Sequence, residues 1–147
     1  MNVFWALAFA EAEAAAWRGE VPVGAVVARG DSVLASAGNR VEELADPTAH
    51  AEMLVLRAAA AAQGGPRLDG CDLYVTLEPC PMCAAATAIA RIRRLYFGAY
   101  DPKGGGVDHG PRIFDQTTCH HRPEVVGGLQ EGRAAALLQG FFRVRRP

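Results

Sequence analysis

The sequence lacks the features of membrane proteins and of disulfide-rich secreted proteins. No uninterrupted apolar run approaches the roughly 18 residues that a membrane-spanning helix needs. The apolar start has no basic leading segment, and Glu11 and Glu13 follow at once, which is not the pattern of a signal peptide. Two of the four cysteines have the spacing of metal ligands, and the other two are too few for a disulfide framework. We therefore expect a cytoplasmic protein with no membrane partner.

An excess of charge of one sign is also missing. The formal net charge is −1, so any nucleic-acid site must be a local patch rather than a property of the whole chain. The sequence has no internal repeat and no change in composition that would mark a linker. Because its length is close to the commonest size of one domain, we expect residues 1–147 to form a single domain.

Two short runs carry the residues with recognisable chemistry. In the first, His50 is followed two residues later by Glu52, and in the second, Cys80 and Cys83 are three residues apart. These three soft ligands are one fewer than the four that close a structural zinc site, which predicts a catalytic site for one Zn²⁺ per chain. Zinc lowers the pKa of a water in the open fourth position to about 7, and Glu52 is the expected proton carrier.

Each run alone has a more ordinary interpretation. A Cys-x-x-Cys pair is more often a redox pair or half of a structural zinc site, and a lone histidine at a helix start is usually only a polar residue. Together, with Pro79 before the first cysteine, the runs match the H-x-E…P-C-x-x-C signature of zinc-dependent deaminases. The combination predicts attack by activated water on the amine-bearing ring carbon of a purine or pyrimidine, with Glu52 moving the protons.

The order of predicted elements indicates an α/β fold. Helical spacing predicts a first helix over 3–18, and a Gly-Asp turn predicts an antiparallel hairpin of strands 23–29 and 33–37. A strand–helix–strand unit over 72–97 predicts two parallel strands. A short strand at 124–126 and a helix over 129–143 are expected to close the chain.

Two segments between these elements bear on the site. Capping chemistry at Asp46-Pro47-Thr48 predicts a helix from there to about residue 62, with His50 on its opening turn. His50 and Glu52 would not point the same way in a straight helix, so we expect His50 to reach the metal from the helix mouth. The segment Gly98–Thr118 contains three successive glycines but not the Lys-Ser/Thr of a phosphate loop, and we expect a lid or surface excursion.

Longer runs, spread over nearly the whole chain, resemble the bacterial tRNA-specific adenosine deaminases. The resemblance implies a three-layer cytidine-deaminase-like α/β fold, with a mixed central sheet of about five strands flanked by helices. It also implies a zinc-dependent homodimer that converts the anticodon wobble adenosine of a tRNA to inosine. The runs that carry it are 20–26, 38–40, 46–52, 73–80, 97–99 and 141–146.

The resemblance also implies roles for individual residues. His50, Cys80 and Cys83 would hold zinc, and Glu52 would shuttle protons. Asn39 would hydrogen-bond the flipped purine. The anticodon stem-loop would be held by Asp101, Lys103, Phe142, Arg143, Arg145 and Arg146. Alternatively, Phe142 belongs to the core and these arginines are only solvated.

Two other functions stay open at this stage. Guanine deaminases share the runs around the zinc ligands, so a free-base guanine or cytosine deaminase is the closest rival. Val-Pro-Val-Gly at 21–24 and the Phe-Phe-Arg end favour the tRNA enzyme. A non-catalytic RNA-binding partner subunit is disfavoured because it would not need Glu52. Cys119, beside His120 and His121, could mimic a second metal cluster.

Overall fold

The computed structural model describes residues 2–145. It contains four α-helices, five strands and one short 3₁₀ helix at Ile113–Asp115. In chain order the main elements are α1 (Val3–Trp17), β1 (Gly24–Arg29), β2 (Ser32–Gly38), α2 (Ala51–Gln63), β3 (Asp72–Leu77), α3 (Pro81–Ile89), β4 (Arg94–Ala99), β5 (Glu124–Val126) and α4 (Glu131–Arg145).

The strands form one mixed sheet in the spatial order β2-β1-β3-β4-β5. Strand β1 is antiparallel to both β2 and β3, whereas β3, β4 and β5 run parallel. The predicted hairpin and the predicted parallel strand–helix–strand unit are both confirmed. Because a parallel crossover places its helix on one face of the sheet, α3 lies across β3 and β4.

Apolar side chains on both faces of the sheet are buried, which is why the central strands read as nearly continuous apolar runs. One face packs against α1 and α4, and this cluster includes Trp5, Phe9, Val26, Tyr74 and Ala134. The other face packs against α2 and α3, and this cluster includes Val27, Val55, Leu73, Val75 and Ala84. The result is the three-layer α/β architecture that the resemblance implies.

The predicted start of α2 is wrong. Asp46 does not cap the helix; its carboxylate accepts hydrogen bonds from the Thr48 N–H at 2.8 Å and the Thr48 hydroxyl at 2.7 Å, which makes a local turn. The helix begins at Ala51 with His50 as its N-cap residue. Helix α3 also ends earlier than predicted, at Ile89, because Arg91 adopts a φ of 66° and turns the chain away.

The long segment after β4 is not a surface excursion along its whole length. Gly105, Gly106 and Val107 are buried. The N–H of Gly106 donates to the Pro79 carbonyl at 2.8 Å, which ties the segment to the turn before Cys80. None of the helices described between residues 2 and 145 is long and apolar enough to span a membrane.

Candidate metal centre and active site

The predicted zinc ligands meet at the starts of two helices. His50 is the N-cap residue of α2, Cys80 is the N-cap residue of α3, and Cys83 is the third residue of α3. Their ligand atoms all lie within 4.8 Å of one another. In the part of the chain that the structure describes, no other group of three such side chains comes together in this way. The three residues predicted as ligands therefore come together, with His50 at the N-cap of α2 rather than inside its first turn.

The distances within this cluster fit zinc. His50 Nδ1 lies 3.6 Å from Cys80 Sγ and 3.5 Å from Cys83 Sγ. A sulfur and a nitrogen that both bind one tetrahedral zinc at the usual bond lengths are about 3.6 Å apart. One imidazole and two thiols are also the donor types that zinc prefers. The cluster is compatible with a zinc ion that keeps one coordination position for a non-protein ligand.

The two thiols differ strongly in their tendency to ionise. A hydrogen bond from Cys83 and the nearby His50 ring lower the pKa of the Cys80 thiol to about 4, against the opposing effect of burial. The same hydrogen bond and burial raise the pKa of Cys83. The hydrogen bond to Cys80 raises the pKa of His50. The cluster thus retains protons that a metal must displace, so metal binding should weaken as the pH falls.

Glu52 lies next to the ligands without being one of them. It is the second residue of α2, its side chain is buried, and it adjoins Cys83. Burial raises the pKa of this carboxyl group to about 7. A group that titrates near neutral pH can both accept and return a proton, which is what a general acid and base requires. The extended backbone of His50, with φ −70° and ψ 152°, lets His50 and Glu52 serve the same site although they are two residues apart.

These groups open into a cavity of about 630 Å³. One wall is the loop after β2, which contributes Asn39, Val41 and Glu42. The facing wall is the loop after β4, which contributes Asp101 and Gly104. The C-terminal part of α4 lies at the same cavity through Phe141 and Arg145. The cavity is large enough for a purine nucleoside, since small-molecule pockets begin at about 300 Å³.

Asn39, which the resemblance assigned to the purine, lines the first cavity. It is buried beside the cavity, and its Oδ1 accepts a hydrogen bond from the Ala51 N–H at 2.7 Å. Arg18 donates to the Asn39 backbone carbonyl at 3.1 Å. Since Oδ1 is engaged with α2, the NH₂ group of Asn39 is the part that can donate to a ligand.

A second cavity of about 480 Å³ adjoins the first and shares Asp101 and Gly104 with it. Lys103, Tyr100 and Phe142 line this second cavity. Phe142 is 42% exposed, so the alternative that it belongs to the core is wrong. Exposed aromatic rings with an adjacent cation are typical of surfaces on which unpaired bases stack.

The arginines of α4 are placed differently from one another. Arg145 lines the first cavity, and its guanidinium carbon lies 3.8 Å from the centre of the Phe141 ring. Arg143 is exposed and lines neither cavity, so its predicted role in RNA binding stays a prediction. Arg146, which was also predicted to contact RNA, lies outside the described residues.

Two buried glutamates that line the first cavity were not expected from the sequence. Glu20 accepts hydrogen bonds from the N–H groups of Glu42 and Glu43 at 3.1 and 2.8 Å. Glu78 accepts hydrogen bonds from the loop after β4, and its side chain is 1% exposed. For Glu78 the available signal was a carboxylate placed directly after an apolar strand, which is costly to bury unless the charge is paired or hydrogen-bonded.

The second metal cluster considered around Cys119 does not form. Cys119 Sγ donates to the His121 carbonyl at 3.2 Å, and His121 Nε2 is 2.7 Å from the Ile92 carbonyl. The His121 contact fastens the segment before β5 to the turn between α3 and β4. None of the four cysteines forms a disulfide.

Comparison with known proteins agrees with this arrangement. The family model described as MafB19-like deaminase matches residues 2–146. The tRNA-specific adenosine deaminase of Agrobacterium fabrum (strain C58) is 57% identical over 143 residues, which cover 97% of this chain and 94% of that protein.

Solved structures give the same result. A structure from studies of A-to-I editing by tRNA:A34 deaminases at the wobble position of transfer RNA has a TM-score of 0.90 and 58% identity, over 92% of this chain and 98% of that one. The guanine deaminase of Nitrosomonas europaea has a TM-score of 0.75 and 25% identity, over 94% and 82% of the two chains. The chain therefore belongs to the MafB19-like deaminases and, among them, to the tRNA-specific adenosine deaminases.

Proposed function

We propose that this protein converts adenosine to inosine at the wobble position of a tRNA anticodon by hydrolytic deamination. The observation that carries the proposal is the His50, Cys80 and Cys83 cluster beside a buried Glu52, at the floor of a cavity that α4 borders. The high identity to tRNA-specific adenosine deaminases supports the polymer substrate. The reaction consumes one water and releases ammonia.

We also propose that His50, Cys80 and Cys83 hold one Zn²⁺ per chain. The match between the observed N···S distances and those of a tetrahedral site supports this assignment. When bound, zinc would supply a Lewis acid that makes water nucleophilic at neutral pH.

The residues of this chain would then handle protons and orientation. Glu52 would accept the proton of the attacking water, pass it to the ring nitrogen next to the reacting carbon, and help the exocyclic amine leave as ammonia. Its buried position beside Cys83, next to the ligands without being one of them, supports this role. Asn39 would donate from its NH₂ group to the purine and hold the ring above Glu52. The walls on either side would exclude bulk water.

A polymer substrate needs contacts beyond the cavity floor. We propose that Asp101 and Lys103 on the loop after β4 contact the nucleotides that flank the adenosine, together with Phe142, Arg143 and Arg145 on α4. The second cavity supports this role for Lys103 and Phe142, because an aromatic ring and a cation border an open space next to the first cavity.

The closest rival is a free-base deaminase, since a guanine deaminase shares the fold at 25% identity. Incubation with tRNA transcripts, with inosine read by sequencing, beside assays on free guanine, cytosine and adenosine would decide between them. We expect inosine in tRNA and little turnover of free guanine, cytosine or adenosine. A non-catalytic partner subunit would yield no product from any of these substrates.

The protein's assembly and location belong to the same proposal. We propose a homodimer of single-domain chains spanning residues 1–147, acting in the cytoplasm, where thiol ligands stay reduced. Sedimentation of the purified protein at several concentrations tests the dimer, and a mass of one chain at all of them would contradict it.

A further inference from the structure

The Glu78 carboxylate is held by a single loop, residues 101–109, which follows β4. Among the described residues, every hydrogen bond that this carboxylate accepts comes from a donor in that loop. Asp101 N–H donates to Oε1 at 3.0 Å, and His109 Nδ1 lies 2.8 Å from the same oxygen. Oε2 accepts from three successive backbone N–H groups, those of Val107, Asp108 and His109, at 3.2, 3.0 and 3.1 Å.

The Glu78 carboxylate is held at both of its oxygens. Glu78 is only 1% exposed, so the donors of the loop take the place of the water that would otherwise solvate it. A buried carboxylate without such partners would be costly, which makes these hydrogen bonds a strong constraint on the path of the loop.

The glycine run of this loop is explained by how closely the backbone approaches Glu78. A Cβ atom on Gly105 would lie 2.3 Å from Glu78 Oε2 and 2.6 Å from the Asp101 carbonyl oxygen. A Cβ atom on Gly106 would lie 2.5 Å from the Pro81 nitrogen. All three distances are shorter than real Cβ atoms essentially ever show, so this path of the loop requires glycine at 105 and 106.

The position of Glu78 joins two parts of the site. It follows the end of β3 and lies two residues before Cys80, so the loop is fastened to the segment that leads into the metal cluster. The loop in turn brings Asp101 and Gly104 to the first cavity, and Asp101, Lys103 and Gly104 to the second. The tether therefore sets the position of the groups that face a substrate.

We propose that Glu78 is a positioning residue for the nucleic-acid substrate, which acts by holding the 101–109 loop against the cavity. This inference rests on the proposed function, because Asp101 and Lys103 matter only if the substrate extends beyond one base. Glu78 also borders the first cavity, but five donors from the loop occupy its two oxygens. We therefore assign proton transfer during the reaction to Glu52 and not to Glu78.

Replacement of Glu78 by glutamine tests the tether. In Glu78→Gln the NH₂ group would face N–H donors, so backbone amides of the loop should lose their acceptor. We expect hydrogen exchange of the 107–109 amides, measured by mass spectrometry, to accelerate by about tenfold or more. The KM for a tRNA transcript should rise by about ten- to a hundredfold, and kcat should change less. The zinc content of the variant should equal that of the parent protein.

Two further variants distinguish loss of the tether from a general folding defect. Gly105→Ala places a methyl group against Glu78 Oε2 without touching a ligand, so it should show the same exchange and KM changes. Glu20→Gln removes an equally buried carboxylate that holds the opposite wall, so the 101–109 amides should exchange as in the parent protein. If Glu78→Gln does not fold, Gly105→Ala decides by the same two measurements.

The outcomes separate this inference from the proposed function. Unchanged exchange and unchanged KM in the folded variants would overturn the positioning role, as would a fall in kcat at unchanged KM. Accelerated exchange equally present in Glu20→Gln would also overturn it, since the effect would then follow from losing any buried carboxylate. Failure of the parent protein to edit tRNA would overturn the proposed function, while the exchange measurement would still report on the tether.

Discussion

At the scale of single residues, His50 and Glu52 take different roles because the backbone changes from extended to helical between them. His50 is extended and caps α2, whereas Glu52 is already inside the helix. The N-cap position turns the imidazole toward the two thiols, and the first helical turn carries the carboxylate into a buried position next to Cys83. A carboxylate that is close to the ligands but separate from them can exchange protons without altering the metal's coordination.

Replacing Glu52 with glutamine should remove catalysis without removing the metal. We expect Glu52→Gln to lower the deamination rate by at least about 10²- to 10⁴-fold, the usual contribution of a general acid and base. Zinc content by elemental analysis should stay at the parent value. Glu131→Gln, which removes an exposed carboxylate from the first turn of α4, is the matched control and should deaminate normally. Near-normal activity of Glu52→Gln would rule out the mechanism.

Loss of any one ligand, in contrast to loss of Glu52, should remove the zinc itself. His50→Ala, Cys80→Ala and Cys83→Ala are each expected to lose zinc or bind it far more weakly, because each removes one of three protein ligands. Cys119→Ser is the control, since Cys119 contacts the His121 carbonyl and not the cluster. Elemental analysis is the measurement, and active parent protein without zinc would contradict the metal assignment.

At the scale of elements, the site depends on how closely α1 and β1 approach each other. A Cβ atom on Gly24 would lie 1.9 Å from the Ala8 carbonyl oxygen and 2.7 Å from the Ala12 nitrogen, so only glycine permits this packing. The contact sets the start of β1 and the adjoining residues 19–23, several of which line the first cavity.

A methyl group at this contact should destabilise the whole fold. We expect Gly24→Ala to lower the free energy of unfolding by about 1–3 kcal/mol or more, the usual cost of overpacking a core. Gly140→Ala on α4, where a Cβ atom would meet nothing within 4 Å, should be neutral or stabilising by about 0.5–1 kcal/mol. Urea unfolding of both variants is the measurement, and equal stabilities would show that α1 and β1 are not packed this closely.

Most elements could be predicted from the sequence because their signals are local. Apolar runs with turn residues between them predicted β1 through β4, and the Cys-x-x-Cys spacing predicted the start of α3. The start of α2 was misplaced because Asp46 and Thr48 carry capping side chains that serve a turn instead. The burial of Gly105 and Gly106 could not be predicted, because it depends on a contact with Glu78 that is distant in the sequence.

At the scale of the whole molecule, a net charge of −1 leaves binding of RNA to local groups. The candidates lie on two separate segments, the loop after β4 and the end of α4, which the fold brings to the same two cavities. The sequence could suggest these residues only through resemblance, because their meeting is a product of the tertiary structure. The zinc ligands could be predicted from the sequence directly, because their residue types and spacing are typical of a metal site.

The different positions of Arg145 and Arg143 give a test of this surface. Arg145→Ala should weaken tRNA binding and reduce the slope of log K against log salt by about 0.7, as expected for one lost phosphate contact on a single strand. Arg143→Ala is matched in charge and lies two residues away, but it borders neither cavity and should have a smaller effect. A larger effect of Arg143→Ala would mean that the RNA follows another path across α4.

The account as a whole is tested most directly by the product that forms in RNA. The purified protein should be incubated with a mixture of tRNA transcripts that carry adenosine at the wobble position, and inosine should be read at every position by sequencing. Free guanine, cytosine and adenosine should be assayed in parallel at the same enzyme concentration. The account predicts inosine at the wobble position of a tRNA, none with Glu52→Gln, and little turnover of the free compounds. Faster deamination of free guanine than of any tRNA, or tRNA that remains unedited by zinc-loaded protein, would contradict it.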